Sequence, residues 1–390
     1  MSWPMVKLGE IFTISRGGSP RPIQDYITDS CNGVNWIMIG DTEPNSKYIR
    51  HTAKKIKFEG VKKSRKVYPG DLLLTNSMSF GRPYILDVEG CIHDGWLVLS
   101  PKNNQIHIDY FYHYLNSPTA KIIISNKAAG AVVKNLNSDI VRNLEIPFPP
   151  FAEQVRIAST LDKADGIRQK REQAIKLADD FLRATFLEMF GDPVQNPKGW
   201  NVKPLADQII HANNGISRRR KEDTNEGDIV LRLQDVHYSG ITFDKELNRI
   251  KLVDKEKQIA RVEYDDLLFI RVNGNPNYVG RTAVFKSYIE PVYHNDHLIR
   301  IKLDNEYQSD FLCYLINSPF SRKLIAQQIK TSAGQHTISQ DGILKLMFYR
   351  PPIELQEKFI NIKNKIESIF YRKDKHEDLF DSISNKLIHS

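Results

Sequence analysis

After Pro351-Pro352 the apolar residues fall at Leu355, Phe359, Ile362, Ile366 and Ile369, then at Phe380, Ile383 and Leu387. Steps of four and three draw one stripe along a helix, in the manner of a heptad seam. Lys373 and His376 take the two remaining seam positions. After Pro149-Pro150 the matching stripe is Ile157, Leu161, Ala164, Ile175, Ala178, Leu182 and Met189, interrupted by Arg168 and Arg171. Neither run contains a proline, and the first stops at Gly191-Asp192-Pro193, where Gly can cap a helix and Pro cannot extend it. The spacing predicts two helices of ~35–39 residues, roughly 50–60 Å long. Stripes of this length need a partner. Antiparallel pairing would bring both polar interruptions to one layer, with Glu172, Asp374, Glu377 and Asp378 to neutralise it. Two separate helices, each packed on its own domain, are the alternative.

Ahead of each helix lie ~140 residues of short β-rich runs separated by Gly, Pro and Asn turns. Asp71 to Thr75, Trp96 to Leu99 and Asp266 to Val272 are the clearest strands. These two stretches are copies of each other. Val6-Lys7-Leu8 returns as Val202-Lys203-Pro204-Leu205, and Ile37 to Asp41 as Leu231 to Asp235. Gly70-Asp71-Leu72 returns as Asp265-Asp266-Leu267, Gly81-Arg82 as Gly280-Arg281, and Asn116-Ser117-Pro118 as Asn317-Ser318-Pro319. Ala129-Gly130 returns as Ala333-Gly334, and Pro149-Pro150 with Gln154 as Pro351-Pro352 with Gln356. Landmarks in colinear order mark a duplicated domain. The expected fold is α+β: two pseudo-symmetric globular domains joined by two long helices that form an antiparallel coiled coil. The expected boundaries are 1–148 and 201–350 for the globular parts, 149–191 and 351–390 for the helical regions, and 192–200 for a linker. Where the first half has Gly70-Asp71 and the second Asp265-Asp266, a different turn is expected.

Composition narrows the function. With 390 residues, 41% hydrophobic and 26% charged, the chain is an ordinary folded protein. No apolar run reaches the ~20 residues of a membrane span, and the start has no signal-peptide core. Three scattered cysteines (Cys31, Cys91, Cys313) predict reduced, buried thiols in a cytoplasmic protein. The net charge of +8 favours a polyanionic partner.

Enzyme motifs are missing from the sequence. There is no phosphate-cradling Gly-x-x-x-x-Gly-Lys-Ser/Thr, no dinucleotide Gly-x-Gly-x-x-Gly after a strand, and no His-Glu-x-x-His. His294-x-x-His297 with Asp296 could imitate a metal pair, but local hydrogen bonding suits it better. Asn275-Pro276-Asn277-Tyr278 is similar to the loop with which adenine methyltransferases hold a flipped base. No cofactor loop precedes it, so it reads as a polar turn. No catalytic residue, metal or bound cofactor is expected.

The charge pattern is more telling. Lys47, Arg50, Lys54, Lys55, Lys57, Lys62, Lys63, Arg65 and Lys66 are opposed only by Glu59. The second half offers Arg218-Arg219-Arg220-Lys221. One such run per repeat points to phosphate contacts. Base reading needs Arg or Lys for guanine and Asn or Gln for adenine on exposed loops. The first half offers Arg16, Arg21, Asn76 and Ser79, and the second Asn214, Arg218, Asn273, Asn275, Asn277, Gln335 and His336. Arg82 and Arg281, present in both halves, fit the fold or the backbone better than half-specific reading.

These residues together resemble the specificity subunits of type I restriction–modification enzymes. The carriers are Val6 to Glu10, Trp200 to Leu205, Pro69 to Leu74, Pro147 to Pro150 with Glu153-Gln154, and Phe190-Gly191-Asp192-Pro193 through Asn196 to Trp200. The resemblance implies two target-recognition domains, each reading half of a bipartite, asymmetric double-stranded DNA site. It implies paired helices that set the unread spacer. Their pairing residues would be Ile157, Leu161, Ile175, Leu182, Leu355, Phe359, Ile362, Ile366, Ile369, Phe380, Ile383 and Leu387. It further implies docking of two modification subunits carrying S-adenosylmethionine-dependent adenine methyltransferase, and of restriction subunits that use ATP and Mg. A stand-alone DNA-binding regulator and an interaction scaffold are the rival readings.

Overall fold

The computed structural model describes residues 3–43, 46–76, 81–129, 136–217, 226–238, 240–243 and 246–370. The fold is α+β, and the chain divides into two units between Gln173 and Ala174.

In the first unit Leu72–Thr75 is the central strand. Its side chains alternate between two faces, as strand geometry requires. Leu72 and Leu74 enter a large core with Phe12, Leu97, Tyr110, Phe111 and Leu115. Leu73 faces a second core with Ile37, Tyr84, Trp96 and Val98. Both faces are covered, which is why the strand reads as continuous leucine. It lies in a five-stranded sheet ordered Phe12–Arg16, Trp96–Pro101, Leu72–Thr75, Pro83–Leu86, Tyr48–Ile49. A second five-stranded sheet runs Ile27–Thr28, Lys54–Ile56, Val34–Ile37, Gly90–Ile92, Arg65–Val67. Within it Val34–Ile37 and Gly90–Ile92 are parallel. Met5–Lys7 pairs with Glu145–Pro147, closing the start of the unit onto its end.

The second unit repeats this plan. Val202–Pro204 pairs with Met347–Tyr349. Asp228–Leu231 lies parallel to Val292–His294. Leu267–Ile270 is again central, with Leu267 and Phe269 in one core and Leu268 and Ile270 in another. The turn before it does not differ as expected. Asp265 adopts φ 71°, as Gly70 adopts φ 90°. Asp tolerates the left-handed region better than most residues, and Asp265 is further held by Lys286 at 2.7 Å.

The first long helix spans Phe151–Phe190, 40 residues. Gly191 ends it at φ 78°, its N–H donating to the Leu187 carbonyl at 2.8 Å. The segment after it is folded onto the helix end. Trp200 Nε1 donates to the Phe190 carbonyl (2.9 Å), Tyr349 Oη donates to the Gly191 carbonyl (3.2 Å), and the Asn196 side chain bonds Trp200 N and O. The second helix spans Ile353–Phe370.

The helix stripes do not lie wholly between helices. Ile157 and Leu161, fully buried, belong to the first unit's own core beside Tyr110 and Leu115. Leu355 and Phe359 belong to the second unit's core. Phe359 also meets the end of the first helix, its ring centroid 5.4 Å from that of Phe186 and 5.8 Å from that of Phe190. Leu182 is buried, while Ile175, Ile362 and Ile366 are half-buried. Ile369 is 67% exposed, against expectation. A straight helix turning 100° per residue carries Ile369 about 80° away from the direction of Phe359. Phe380, Ile383 and Leu387 lie outside the described residues. At the polar interruption Arg168 bonds Asp165 and Glu172 of its own helix, both at 2.7 Å, and Lys373, Asp374, His376, Glu377 and Asp378 lie outside the described residues.

Candidate nucleic-acid interface

Each unit brings the end of its first sheet strand against the turn that precedes its longest strand. In the first unit the approach is so close that a Cβ on Gly17 would lie 2.0 Å from the His93 carbonyl oxygen. The matching distance for Gly215 and the His294 oxygen is 2.1 Å. Only Gly fits such a seam. It is closed by Gly17 N–H to the Trp96 carbonyl (2.9 Å) in one unit and Ile216 N–H to the His294 carbonyl (3.1 Å) in the other.

The seam presents one aspartate in each half. Around Asp94 converge Arg16 Nε to its carbonyl (3.0 Å), Asn76 Nδ2 to the same oxygen (2.6 Å), Ser19 Oγ to its carboxylate (2.7 Å) and Arg21 at 3.9 Å. The Ser19 bond holds the Asp94 carboxyl below its ordinary range, against the opposing effect of burial. Three predicted residues, Arg16, Arg21 and Asn76, are thus brought together. Asn76 is itself buried, and its amide is spent on positioning this turn.

In the second half Asp296 takes the same place. Arg271 Nη1 donates to its carbonyl at 3.1 Å, as Asn76 does to Asp94. Arg271 follows Ile270 as Asn76 follows Thr75, each just past the central strand. Arg16 and Asn214 correspond likewise, being paired with Leu97 and Ile299. Asp94 and Arg271 were not singled out from the sequence, and Asp296 was read there only beside His294 and His297, as a place of local hydrogen bonding. The position directly after the duplicated strand was the available signal.

The basic run of the first half is less free than its composition suggests. Lys47, its side chain 11% exposed, is clamped between Asp109 (2.5 Å) and Asp162 (2.6 Å), and His113 Nε2 lies 2.7 Å from the same Asp162 oxygen. Burial alone would raise the Asp162 pKa, but the His113 and Lys47 bonds outweigh it and bring it to about 2. Arg50 pairs with Asp87 (3.3 Å) and Lys66 with Glu89 (2.6 Å). Lys54, Lys57, Lys62, Lys63 and Arg65 are exposed and Lys55 half-buried. Among the described residues Lys55, Lys57 and Lys63 reach only neutral oxygens, the Cys31 and Asp25 carbonyls and the Tyr26 hydroxyl.

The second half places Asn273, Gln335 and His336 on a small three-stranded sheet. Ile329–Ser332 and Gln335–Ile338 form a hairpin turned by Ala333 and Gly334, both at positive φ, as tight hairpins require. Asn273 pairs with His336 across it. His336 Nδ1 is 2.8 Å from Thr331 Oγ1, and Gln335 is exposed. The loop beyond is a polar turn. Asn273 Oδ1 accepts from Asn275 N–H (2.9 Å), Asn275 Oδ1 accepts from Asn277 N–H (3.0 Å), and Arg322 donates to the Pro276 and Val279 carbonyls. The repeated arginines both lie on tyrosine rings, Arg82 on Tyr84 (5.2 Å) and Arg281 on Tyr278 (4.0 Å). Ser79 and Arg218, Arg219, Arg220 and Lys221 lie outside the described residues.

His294 is fully buried, its Nδ1 2.8 Å from the Ala260 carbonyl oxygen. Burial pushes its pKa down to about 4. Among the described residues no group of His, Cys, Asp or Glu is arranged to hold a metal, and no helix is long and apolar enough to cross a membrane. Of the cysteines, Cys91 is buried and Cys313 half-buried, but Cys31 is exposed, where burial was expected.

A family model, the type I restriction modification DNA specificity domain, matches residues 2–177. The StySPI type I restriction enzyme specificity subunit of Salmonella potsdam is 30% identical over 329 residues, covering 80% of this chain and 70% of its own. The crystal structure of the S subunit of a type I restriction–modification system from M. genitalium covers 100% of this chain and 96% of its own, with TM-score 0.60 and 16% identity. A second solved chain, described in terms of complex assembly and conformational transition of the type I R-M system, covers 100% and 98%, with TM-score 0.54 and 15% identity. The structural likenesses carry the fold, and the StySPI subunit carries the family. The chain belongs to the specificity subunits of type I restriction enzymes, the DNA-recognition members of those systems.

Proposed function

We propose that this chain reads a bipartite, asymmetric site in double-stranded DNA. Residues 1–148 and 201–350 each read one half. The helical regions 149–191 and 351–390, connected through 192–200, pair antiparallel and set the number of unread base pairs. The observation that carries this reading is the matched pair of frames around Asp94 and Asp296. The same backbone carbonyl is held by Asn76 in one half and by Arg271 in the other, and Arg16 stands where Asn214 does. One scaffold with different hydrogen-bonding side chains suits two half-sites of different sequence. Helix pairing is supported by the Phe359 contacts with Phe186 and Phe190. It is further supported by Tyr238, whose ionisation feels both Asp179 of the first helix and Glu367 of the second.

Lys54, Lys55, Lys57, Lys62 and Lys63, with the run Arg218 to Lys221, contact phosphates and anchor the chain irrespective of sequence. The helices dock two modification subunits, whose S-adenosylmethionine-dependent methyltransferase modifies adenine. Restriction subunits using ATP and Mg join them. The chain itself supplies recognition and no catalytic group, and the assembled complex is both methyltransferase and ATP-dependent endonuclease. The test is to map methylated adenines in the host genome with and without this chain. The expected result is one split motif with a constant gap. A single uninterrupted motif, or a pattern indifferent to the chain, would overturn the reading.

A further inference from the structure

We propose that a recess in the first recognition half holds one unstacked nucleotide. The recess has a volume of about 370 Å³, within the ~300–1,000 Å³ of sites built for small ligands. Its walls are Ile27, Met38 and the edge of Trp36, which is 2% exposed. His93, half-buried, adds an aromatic face with its centroid 6.3 Å from that of Trp36. Burial pushes the His93 pKa below its ordinary value, against the pull of Asp94 and Asp41, so the ring is neutral at pH 7. Gln24, Arg21 and Lys54 stand exposed among the lining residues.

Three chemistries meet here: apolar and aromatic walls for a flat ring, an amide that both donates and accepts for the ring's edge, and two cations for an anion. Among the described residues Arg21 is held only by Asp94 at 3.9 Å. The Lys54 side chain makes no hydrogen bond or ion pair among the described residues. A nucleotide carries all three complements. A base inside a duplex shows only its edges, so it enters a walled recess only after leaving the stack. The recess shares Arg21, Ser19 and His93 with the frame around Asp94, which places it at the face assigned above to DNA. The inference rests on that assignment for the source of the nucleotide, since a free nucleotide offers the same chemistry.

The test uses the full chain and the duplex identified by methylation mapping. Each base of the half-site read by residues 1–148 is set in turn opposite an abasic position, which lowers the cost of unpairing. Binding is expected to tighten about tenfold at one position and at no other. Ile23→Trp, which fills the recess, should abolish that gain, and Gln24→Ala, at an exposed position, should reduce it even where the larger substitution fails to fold. In a parallel arm dAMP and dTMP are titrated into the chain alone. Saturable binding that Ile23→Trp or Gln24→Ala weakens, without any gain on abasic duplexes, assigns the recess to a free nucleotide. If neither arm responds while the duplex still binds specifically, the recess proposal is wrong and the recognition reading stands. If no duplex binds specifically, the recognition reading fails, and the free-nucleotide arm alone decides the recess.

Discussion

Gln154 and Gln356 close the same three hydrogen bonds in the two halves. Each is fully buried in the first turn of its long helix. Gln154 accepts from His107 N–H (2.9 Å) and donates to the Gln105 and Pro149 carbonyls (3.2 and 2.9 Å). Gln356 accepts from Gln308 N–H (3.0 Å) and donates to the Glu306 and Pro351 carbonyls (3.3 and 2.8 Å). Each ties the root of a helix to the loop before the helix Ile108–Asn116 or Ser309–Asn317. Gln154→Leu keeps the volume and strands three backbone groups, one buried and two half-buried. It should destabilise the first unit by about 3 kcal/mol, and Gln356→Leu should do the same to the second. Urea unfolding followed by the tryptophan and tyrosine signals measures both. A loss below the error of the method would show that water or a shifted backbone replaces the amide.

The lysines of the first half separate into two kinds. Lys54→Ala, Lys55→Ala and Lys57→Ala together should weaken binding to every duplex alike. They should flatten the salt dependence by up to ~0.9 in slope for each phosphate that is no longer neutralised. Lys47→Met should leave that slope unchanged and lower thermal stability instead, because Asp109 and Asp162 lose their shared cation. A base-selective loss in the triple variant contradicts the phosphate assignment.

Acid should weaken the second unit through His294. Its pKa is pushed down to about 4 when folded, by burial first, against its bond to the Ala260 carbonyl. The unfolded chain takes up a proton near pH 6.5 that the folded chain refuses until about pH 4. Stability is therefore complete above pH 6.5 and falls as the pH drops through that window, by roughly 3 kcal/mol in all. His294→Gln should remove most of the slope between pH 6.5 and 4. Denaturant titrations at several pH values would reveal it, and an unchanged slope would assign the acid sensitivity elsewhere.

Helix length should control the spacer. Removing seven residues from each long helix, outside the turns rooted by Gln154 and Gln356, should shorten the gap in the methylated motif and leave both half-sites as they are. Methylome sequencing of cells carrying the variant reads this directly. Altered half-sites with a constant gap would refute the ruler.

Much of this architecture is legible in the residues themselves. The duplication, the continuous helix to Phe190, its stop at Gly191 and the central leucine strands all follow from short-range pattern. What pattern cannot supply is the identity of the neighbour. The stripe through Ile157 and Leu161 announces a buried face, but periodicity does not say that the covering surface is Tyr110 and Leu115. Lys47 looks like one more cation of a basic run, and only the fold brings Asp109 and Asp162 to it. Asp94 escaped, and Asp296 was read with His294 and His297 rather than with the central strand. Their role comes from a backbone carbonyl, which every residue has. Asp265 shows the converse: a non-glycine took the left-handed turn of Gly70, so the difference in letters did not become a difference in shape.

The burial of Ile157 and Leu161 has a mechanical consequence. The helix they belong to is an arm pivoted inside the core of the first unit. From Leu161 to the helix end at Phe190 the arm is ~44 Å long, and a tilt of one degree moves its far tip by about 0.8 Å. Successive base pairs lie ~3.4 Å apart, so if the helix sets the spacer as proposed, a tilt of roughly four degrees would miscount by one. On that proposal, the clamp of Lys47, Asp162 and His113 beside Leu161 is where the angle of the arm is held.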